Sequence, residues 1–274
     1  MHRPDLVASD VDGTLLDPAE RVTDRTARVI DRVLTDGIPF VLVSGRPPRW
    51  IPRVAEAAGL TGYAVCANGA SVYDIGADEV LHVRDLTPLQ LQDVVRAVEA
   101  ALPGIKVAAE RTAVGTRQPE PFAIEPGFRS PWGNPNGETD SPDLAARAEV
   151  VGKPATKLLV RHPGMTSGQM AEAMAAVIGD MDLELTYSTN SGLVEVSAGG
   201  VTKASGLEWV CRELGIDAER VVAFGDMPND VPMLGWAGHG VAMANAHDDL
   251  LAVANEVTAP NSEDGVAQVL ERWF

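Results

Sequence analysis

The chain alternates short, continuous apolar runs with stretches whose apolar residues recur at helical spacing. Leu6–Ser9 is a short run that ends in acids, and Ile38–Val43 is a run of six. A run without polar alternation fits a strand buried on both faces, as in a parallel sheet. Between these two runs, Thr23–Asp36 predicts a helix. Thr23 is its N-cap, Ile30, Val33 and Leu34 share a face, and Gly37 ends it. A second helix begins at Pro47 or Pro48 and closes near Gly59, and Tyr63–Ala67 predicts a strand that breaks at Asn68-Gly69. The end of the chain repeats this grammar: a helix over Thr202–Leu214 stopped by Gly215, a strand Val221–Phe224 breaking at Gly225-Asp226, a short strand Val241–Met243, and a closing helix Val266–Trp273. Strands alternating with helices in this way predict an α/β fold, a doubly wound, Rossmann-like parallel sheet.

The middle of the chain reads differently. It predicts a helix over Pro88–Ala101, strands near Ile105–Ala109 and Thr156–Arg161, a second helix over Ser167–Ile178 and a strand over Leu183–Tyr187. Gln118 to Pro142 holds six prolines together with Phe128 and Trp132. A loop of that length inside a compact domain is commonly functional. The expected organisation is therefore a catalytic core of residues 1–84 and 189–274, interrupted by an inserted α+β domain of residues 85–188.

Composition narrows the partners. With 45% hydrophobic and 22% charged residues in 274, the chain has apolar surface enough to offset its ordering entropy, which argues against disorder. No apolar run approaches the roughly 18 residues of a membrane span. Asp5, Asp10 and Asp12 interrupt the only early apolar run, so no signal peptide is expected. Two cysteines, Cys66 and Cys211, are too few for a disulfide framework and fit a cytoplasmic protein with reduced thiols. The formal net charge of −17 repels nucleic acid and anionic lipid, and neither is expected as a partner. If the ligand is itself an anion, a metal ion or a few placed cations must invert this field locally.

Ligands of open parallel sheets bind at the carboxyl ends of the strands. Three segments stand there: Asp10-Val11-Asp12-Gly13-Thr14, Ser44-Gly45-Arg46, and Gly225-Asp226-Met227-Pro228-Asn229-Asp230. Asp10 and Asp12 are two residues apart and so aim to the same side, and Gly13 permits a sharp turn beside them. Carboxylates this close repel unless they have different roles or share a cation. With Asp226 and Asp230 added, four acids at one sheet edge suggest a hard, oxygen-preferring ion, most naturally Mg²⁺. Only four lysines stand among the 22 basic residues, and one of them, Lys203, follows Gly199-Gly200-Val201-Thr202 at the start of a helix. A compact ammonium there suits a phosphoryl oxygen beside a metal. The five histidines show no metal spacing, and dinucleotide, P-loop and G-x-S-x-G fingerprints are absent or incomplete.

The set DxDGT, Ser-Gly-Arg after a second strand, a lone lysine opening a helix, and GDxxND resembles the four motifs of the haloacid dehalogenase superfamily of phosphatases. Asn68-Gly69-Ala70, Gly240–Ala246 and Asp264-Gly265-Val266-Ala267 are similar to further marks of its Cof-like branch (subfamily IIB), which carries a C2-type cap. By that resemblance the insert is the cap, covering the site and setting substrate choice. Asp10 is then the nucleophile that becomes an aspartyl phosphate, and Asp12 the acid that protonates the leaving oxygen and later activates water. Ser44 and Lys203 hold phosphoryl oxygens, with Gly45 and Asn229 nearby. Mg²⁺ is bound by Asp10, the Asp12 carbonyl and Asp226, with Asp230 in support. Small phosphorylated metabolites, sugar phosphates first, are the implied substrates.

Some readings stay open at this level. Arg46 either touches substrate or pairs with a nearby acid, and Phe128 and Trp132 either stack on substrate or pack in their own domain. Glu195, just before the glycine pair, either faces the site or, the favoured reading, is a solvent-facing strand residue. The same motifs would serve a phosphotransferase or mutase, and a silent sensor of a phosphorylated ligand is the reading from another class. Oligomeric state leaves no mark in the sequence.

Overall fold

A computed structural model describes residues 3–111, 122–129 and 145–274. Strands β1 (Leu6–Ser9), β2 (Phe40–Val43), β3 (Tyr63–Cys66), β4 (Ser71–Asp74) and β5 (Glu79–Val83) come first. They are followed by β6 (Lys106–Glu110), β7 (Phe122–Ile124), β8 (Lys157–Arg161), β9 (Leu183–Thr186) and β10 (Leu193–Ala198). The last three are β11 (Val221–Gly225), β12 (His239–Ala242) and β13 (Glu256–Val257).

The larger sheet has the order β13-β12-β11-β1-β2-β3-β4-β5. The six strands from β13 to β3 are parallel to their neighbours, and β4 returns antiparallel on β3. Along β1 and β2 the side chains alternate between two apolar clusters. Val7, Phe40 and Leu42 pack with Val29, Ile30 and Val33 of the helix Asp24–Thr35. Leu6, Ala8, Val41 and Val43 pack on the other face with Leu207, Val210 and Cys211 of the helix Lys203–Leu214. Helices on both faces explain why these strands read as unbroken apolar runs. The helix ends follow the sequence signals: the Thr23 hydroxyl accepts from the Thr26 N–H at 3.2 Å, the Thr202 hydroxyl from the Ser205 N–H at 3.1 Å, and Gly215 closes its helix in the left-handed region at φ 68°.

Strand order reverses between β1 and β11, which lie side by side with Ser9 opposite Phe224. The segments beginning at Asp10 and Asp226 therefore leave adjacent strand ends, which is the switch point where a doubly wound sheet opens a crevice. The expected α/β fold with a doubly wound core is observed.

The chain divides into two compact units, one of residues up to His82 together with Thr202–Phe274, the other Val83–Val201. The expected boundary at 188/189 moves to 201/202, because β10 pairs antiparallel with both β8 and β9 and so belongs to the insert. The inserted sheet has the order β7-β6-β8-β10-β9. One face carries the buried aliphatic residues Val107, Ala109, Leu158, Val160, Val194 and Val196, by the printed register of β6, β8 and β10. The other face holds an apolar cluster of Ala108, Phe122, Ile124, Phe128, Leu159 and Leu193. Part of the Pro-rich stretch expected to be loop is thus a strand, and Phe128 packs within its own unit; Trp132 and most of that stretch lie outside the described residues.

Candidate active site

Asp10 follows β1 directly, its N–H donating to the Phe224 carbonyl at 2.9 Å. The chain then makes a wide turn, closed by the Leu16 N–H on the Val11 carbonyl at 3.0 Å. Gly13 lies at φ 78° in that turn, and a Cβ there would stand 2.2 Å from Asp226 Oδ2. Only glycine brings the two loops this close. Thr14 Oγ1 donates to Asp226 Oδ1 at 3.0 Å, and Asn245 Nδ2 to the Gly13 carbonyl at 2.9 Å.

On the β11 side, Asp230 Oδ2 accepts from the N–H groups of Asp226 at 3.1 Å and Met227 at 3.0 Å. Its other oxygen, Oδ1, accepts from Lys203 Nζ at 2.6 Å, and the same ammonium donates to Asp10 Oδ1 at 2.6 Å. Lys203 is thus a clamp between the first and last segments of the site, 1% exposed itself. Gly69, at φ 102°, lets the chain after β3 come close to the start of the helix Lys203–Leu214; a Cβ would fall 2.0 Å from the Thr202 carbonyl oxygen.

The electrostatics are those of crowded acids taken out of water. Burial pushes the Asp10 carboxyl well above its ordinary range; Lys203 pulls it back, while Asp230, Asp226 and Asp12 push it further up. Burial and the Asp230 charge push Asp226 up to about 7, against Lys203 and Thr14. For Lys203, burial alone would lower the pKa, but Asp10 and Asp230 outweigh it and hold the ammonium above its ordinary value.

Oxygens of Asp10, Asp226 and Asp230 all lie within 4.8 Å of one another, and all three residues are buried. Around an octahedral Mg²⁺ with oxygens at ~2.1 Å, opposite ligands are roughly 4.2 Å apart, so this set needs only a small contraction. Three carboxylates against one ammonium leave a surplus of buried negative charge that a divalent ion would offset. The donor set fits Mg²⁺.

The other predicted residues arrange themselves around this centre. Asp12 points elsewhere than Asp10: its side chain is 56% exposed and makes a two-pronged pair with Arg46, Nε to Oδ2 at 2.8 Å and Nη2 to Oδ1 at 2.6 Å. Of the two readings open for Arg46, the structure has the pair with an acid. Ser44 is buried, and its Oγ accepts from the Arg46 N–H at 3.1 Å, which leaves its own proton to donate. Asn68 Oδ1 sits 3.1 Å from where a Gly45 Cβ would be and accepts from Asn229 Nδ2 at 3.1 Å. Asn229 Oδ1 is buried with no partner among the described residues.

Residues 7–270 match the profile of the haloacid dehalogenase-like hydrolases. The chain belongs to this family. Among curated relatives of this haloacid dehalogenase-like hydrolase, the Bacillus subtilis 5-amino-6-(5-phospho-D-ribitylamino)uracil phosphatase YitU is 29% identical over 277 residues, covering 99% of this chain and 98% of the relative. The Escherichia coli pyridoxal phosphate phosphatase YbhA is 29% identical over 269 residues, covering 97% of each chain. The solved structure of the subclass IIB sugar phosphatase BT4131 superposes with a TM-score of 0.78 at 21% identity, over 98% of both chains, a likeness of fold. The resemblance drawn from the four motifs is borne out, and with it the enzyme class, a phosphoric monoester hydrolase.

Three residues that stand inside the quoted motifs, without a role of their own assigned from sequence, carry the site's geometry. Thr14 fixes Asp226, Asn68 holds Asn229, and Asn245 ties down the Gly13 turn. Asn68-Gly69 announced itself as a strand break, and the left-handed φ of 57° at Asn68 is the backbone signature behind it. Glu195, expected to face solvent, is 1% exposed and paired with Lys157 at 2.7 Å. That placement is corrected here: β10 is buried on both faces.

Proposed function

We propose that this chain is a cytoplasmic, Mg²⁺-dependent phosphatase of small phosphorylated metabolites, sugar phosphates being the first class to test, acting through an aspartyl phosphate on Asp10. The observation that carries the reading is the Lys203 ammonium at 2.6 Å from both Asp10 and Asp230, next to the Asp226 carboxylate. Mg²⁺, held by Asp10, the Asp12 carbonyl and Asp226 with Asp230 in support, would supply the positive charge that lets a carboxylate approach a phosphate dianion.

In the first step an oxygen of Asp10 bonds to phosphorus while the ester P–O bond breaks, and the departing alkoxide takes a proton from Asp12. In the second, water attacks the phosphorus of the acyl phosphate and gives a proton to the Asp12 carboxylate. The P–O bond to Asp10 breaks, and inorganic phosphate leaves. The division of labour matches the two environments: Asp10 is buried and clamped, whereas the Asp12 side chain stands 56% exposed. Lys203 and Ser44 offset charge on the phosphoryl oxygens where it gathers in the transition state. The inserted unit, by the same reading, chooses among alcohols.

The test is a panel of phosphorylated metabolites assayed for phosphate release with Mg²⁺ and with a chelator. The expected result is release that needs the metal and is lost in Asp10→Asn. Turnover that survives either change overturns the reading, and recovery of phosphate on a second hydroxyl would make the chain a transferase.

A further inference from the structure

Three consecutive residues after β3 sit in the left-handed region, Ala67 at φ 50°, Asn68 at φ 57° and Gly69 at φ 102°. Glycine and asparagine visit that region readily and alanine only at a cost, so such a bend persists where its surroundings hold it. Two backbone bonds hold it here. The Ala67 N–H donates to the Arg46 carbonyl at 2.9 Å, and the Asn68 N–H to the Ser44 carbonyl at 3.0 Å, which straps the bend to the loop that carries Ser44. The Asn68 side chain bonds a different loop, its Oδ1 accepting from Asn229 Nδ2 at 3.1 Å. One buried residue, 3% exposed, is thus shared between the Ser44 loop and the loop of Asp226 and Asp230.

A second observation concerns Asn229, which is 7% exposed. Its Nδ2 is committed to Asn68, and its Oδ1 is buried with no hydrogen-bond partner among the described residues. A buried acceptor left unsatisfied is a cost that a donor brought to the site removes. The oxygens of a phosphate dianion cannot be that donor, because they carry no hydrogen and would repel a carboxamide oxygen. Water can. Asn229 directly precedes Asp230, whose Oδ1 is held by Lys203, so the acceptor belongs to the segment that builds the acidic centre. Strained backbone and an unfilled acceptor both lower stability, and stability therefore does not explain the pair.

We propose that Asn68 is a positioning residue of the reaction. By accepting the Nδ2 hydrogen of Asn229 it fixes which way round that carboxamide lies, and so keeps Asn229 Oδ1 as the acceptor for one water of the reacting centre. That water is either one bound to the divalent ion or the one that attacks phosphorus. The left-handed bend serves the same end, since it ties the residue that orients Asn229 to the loop carrying the Ser44 hydroxyl. The proposal rests on the phosphatase reading above.

Asn68→Gly tests it, because glycine keeps the left-handed backbone and removes only the carboxamide. With p-nitrophenyl phosphate and saturating Mg²⁺, kcat per folded protein should fall about tenfold while KM stays within about twofold. In an Asn229→Ala background the same change should cost no more than about twofold, since nothing is left to position. Asn68→Asp also tolerates the left-handed conformation and keeps an accepting oxygen, and its kcat should stay within about threefold of the parent. Titration of the substrate-free protein with Mg²⁺ separates the two waters. Binding weakened about tenfold in Asn68→Gly assigns the water on the ion, and unchanged binding assigns the attacking water. An unchanged kcat in Asn68→Gly, a loss carried by KM, or losses that multiply in the double variant overturn this inference alone, as does an Asn68→Asp protein as slow as Asn68→Gly. If the parent protein releases no phosphate from any ester with Mg²⁺, the phosphatase reading falls and this inference with it.

Discussion

Replacing Lys203 by methionine keeps the unbranched stem as far as Cε and deletes the ammonium that two carboxylates share. Asp10 and Asp230 would then face each other and Asp226 across a buried space with no cation. Breaking a buried pair by removing one partner typically costs about 3–5 kcal/mol. For a chain of 274 residues that is a fall in Tm of roughly 5–10 °C in the metal-free protein. The cost should also depend on pH, and its sign follows from the carboxyls. Burial already holds Asp10 and Asp226 above the ordinary 3.8, so between that value and their folded-state pKa the native protein binds more protons than the unfolded chain. Stability therefore falls as pH rises through this window. Without Lys203 the window widens upward, because an opposing influence on both groups is gone. Scanning calorimetry of the metal-free variant should show a small deficit near pH 5 and the full deficit near pH 8, with Mg²⁺ restoring part of it. A variant within about 0.5 kcal/mol of the parent at pH 8 would refute the clamp, since that is the scale of an ordinary surface change.

Three further outcomes follow from the same geometry. Mg²⁺ binding should release protons, about one or more per ion near pH 6 and fewer above pH 8, because Asp226 titrates near 7 in the metal-free protein; calorimetry in buffers of different ionisation enthalpy reads this directly, and binding without proton release at pH 6 contradicts it. Gly13→Ala puts a Cβ 2.2 Å from Asp226 Oδ2 at a φ of 78° and should weaken Mg²⁺ binding by about tenfold or more, measured by titration. Arg46→Ala frees the Asp12 carboxyl from its two-pronged partner and should slow alkyl phosphates about tenfold more than p-nitrophenyl phosphate, whose leaving group needs no proton; equal losses on both would show that Arg46 does not act through Asp12.

The parts of the fold legible in the sequence are those in which one physical signal acts alone. The apolar run before Ser44 fits a strand covered on both sides, and four of its six residues, Phe40–Val43, form one; Thr23 and Thr202 are helix caps whose side chains do what hydroxyls at such positions do. The helices Pro88–Ala101 and Ser167–Ile178 stand where their periodicity put them. Strand β10 escaped because Glu195 and Ser197 imitate a solvent-facing alternation, while both faces of the strand are buried. That misreading set the insert's boundary 13 residues early, at 188 instead of 201. In the site, carboxylates at strand ends were legible from spacing, since Asp10 and Asp226 follow apolar runs. The pairing of Asp12 with Arg46 was not, because nothing local says which of many acids a guanidinium 34 residues away will meet. Thr14, Asn68 and Asn245 act by holding other groups in place, a role that appears only once the loops are assembled.

The central claim is a covalent one, that Asp10 carries the phosphoryl group between ester and water. Rapid acid quench during turnover with Mg²⁺, followed by peptide mass mapping, reads it directly. The account predicts one added phosphoryl mass on the peptide containing Asp10, lost in Asp10→Asn. Turnover with no adduct, or with the adduct on a different side chain, would contradict it.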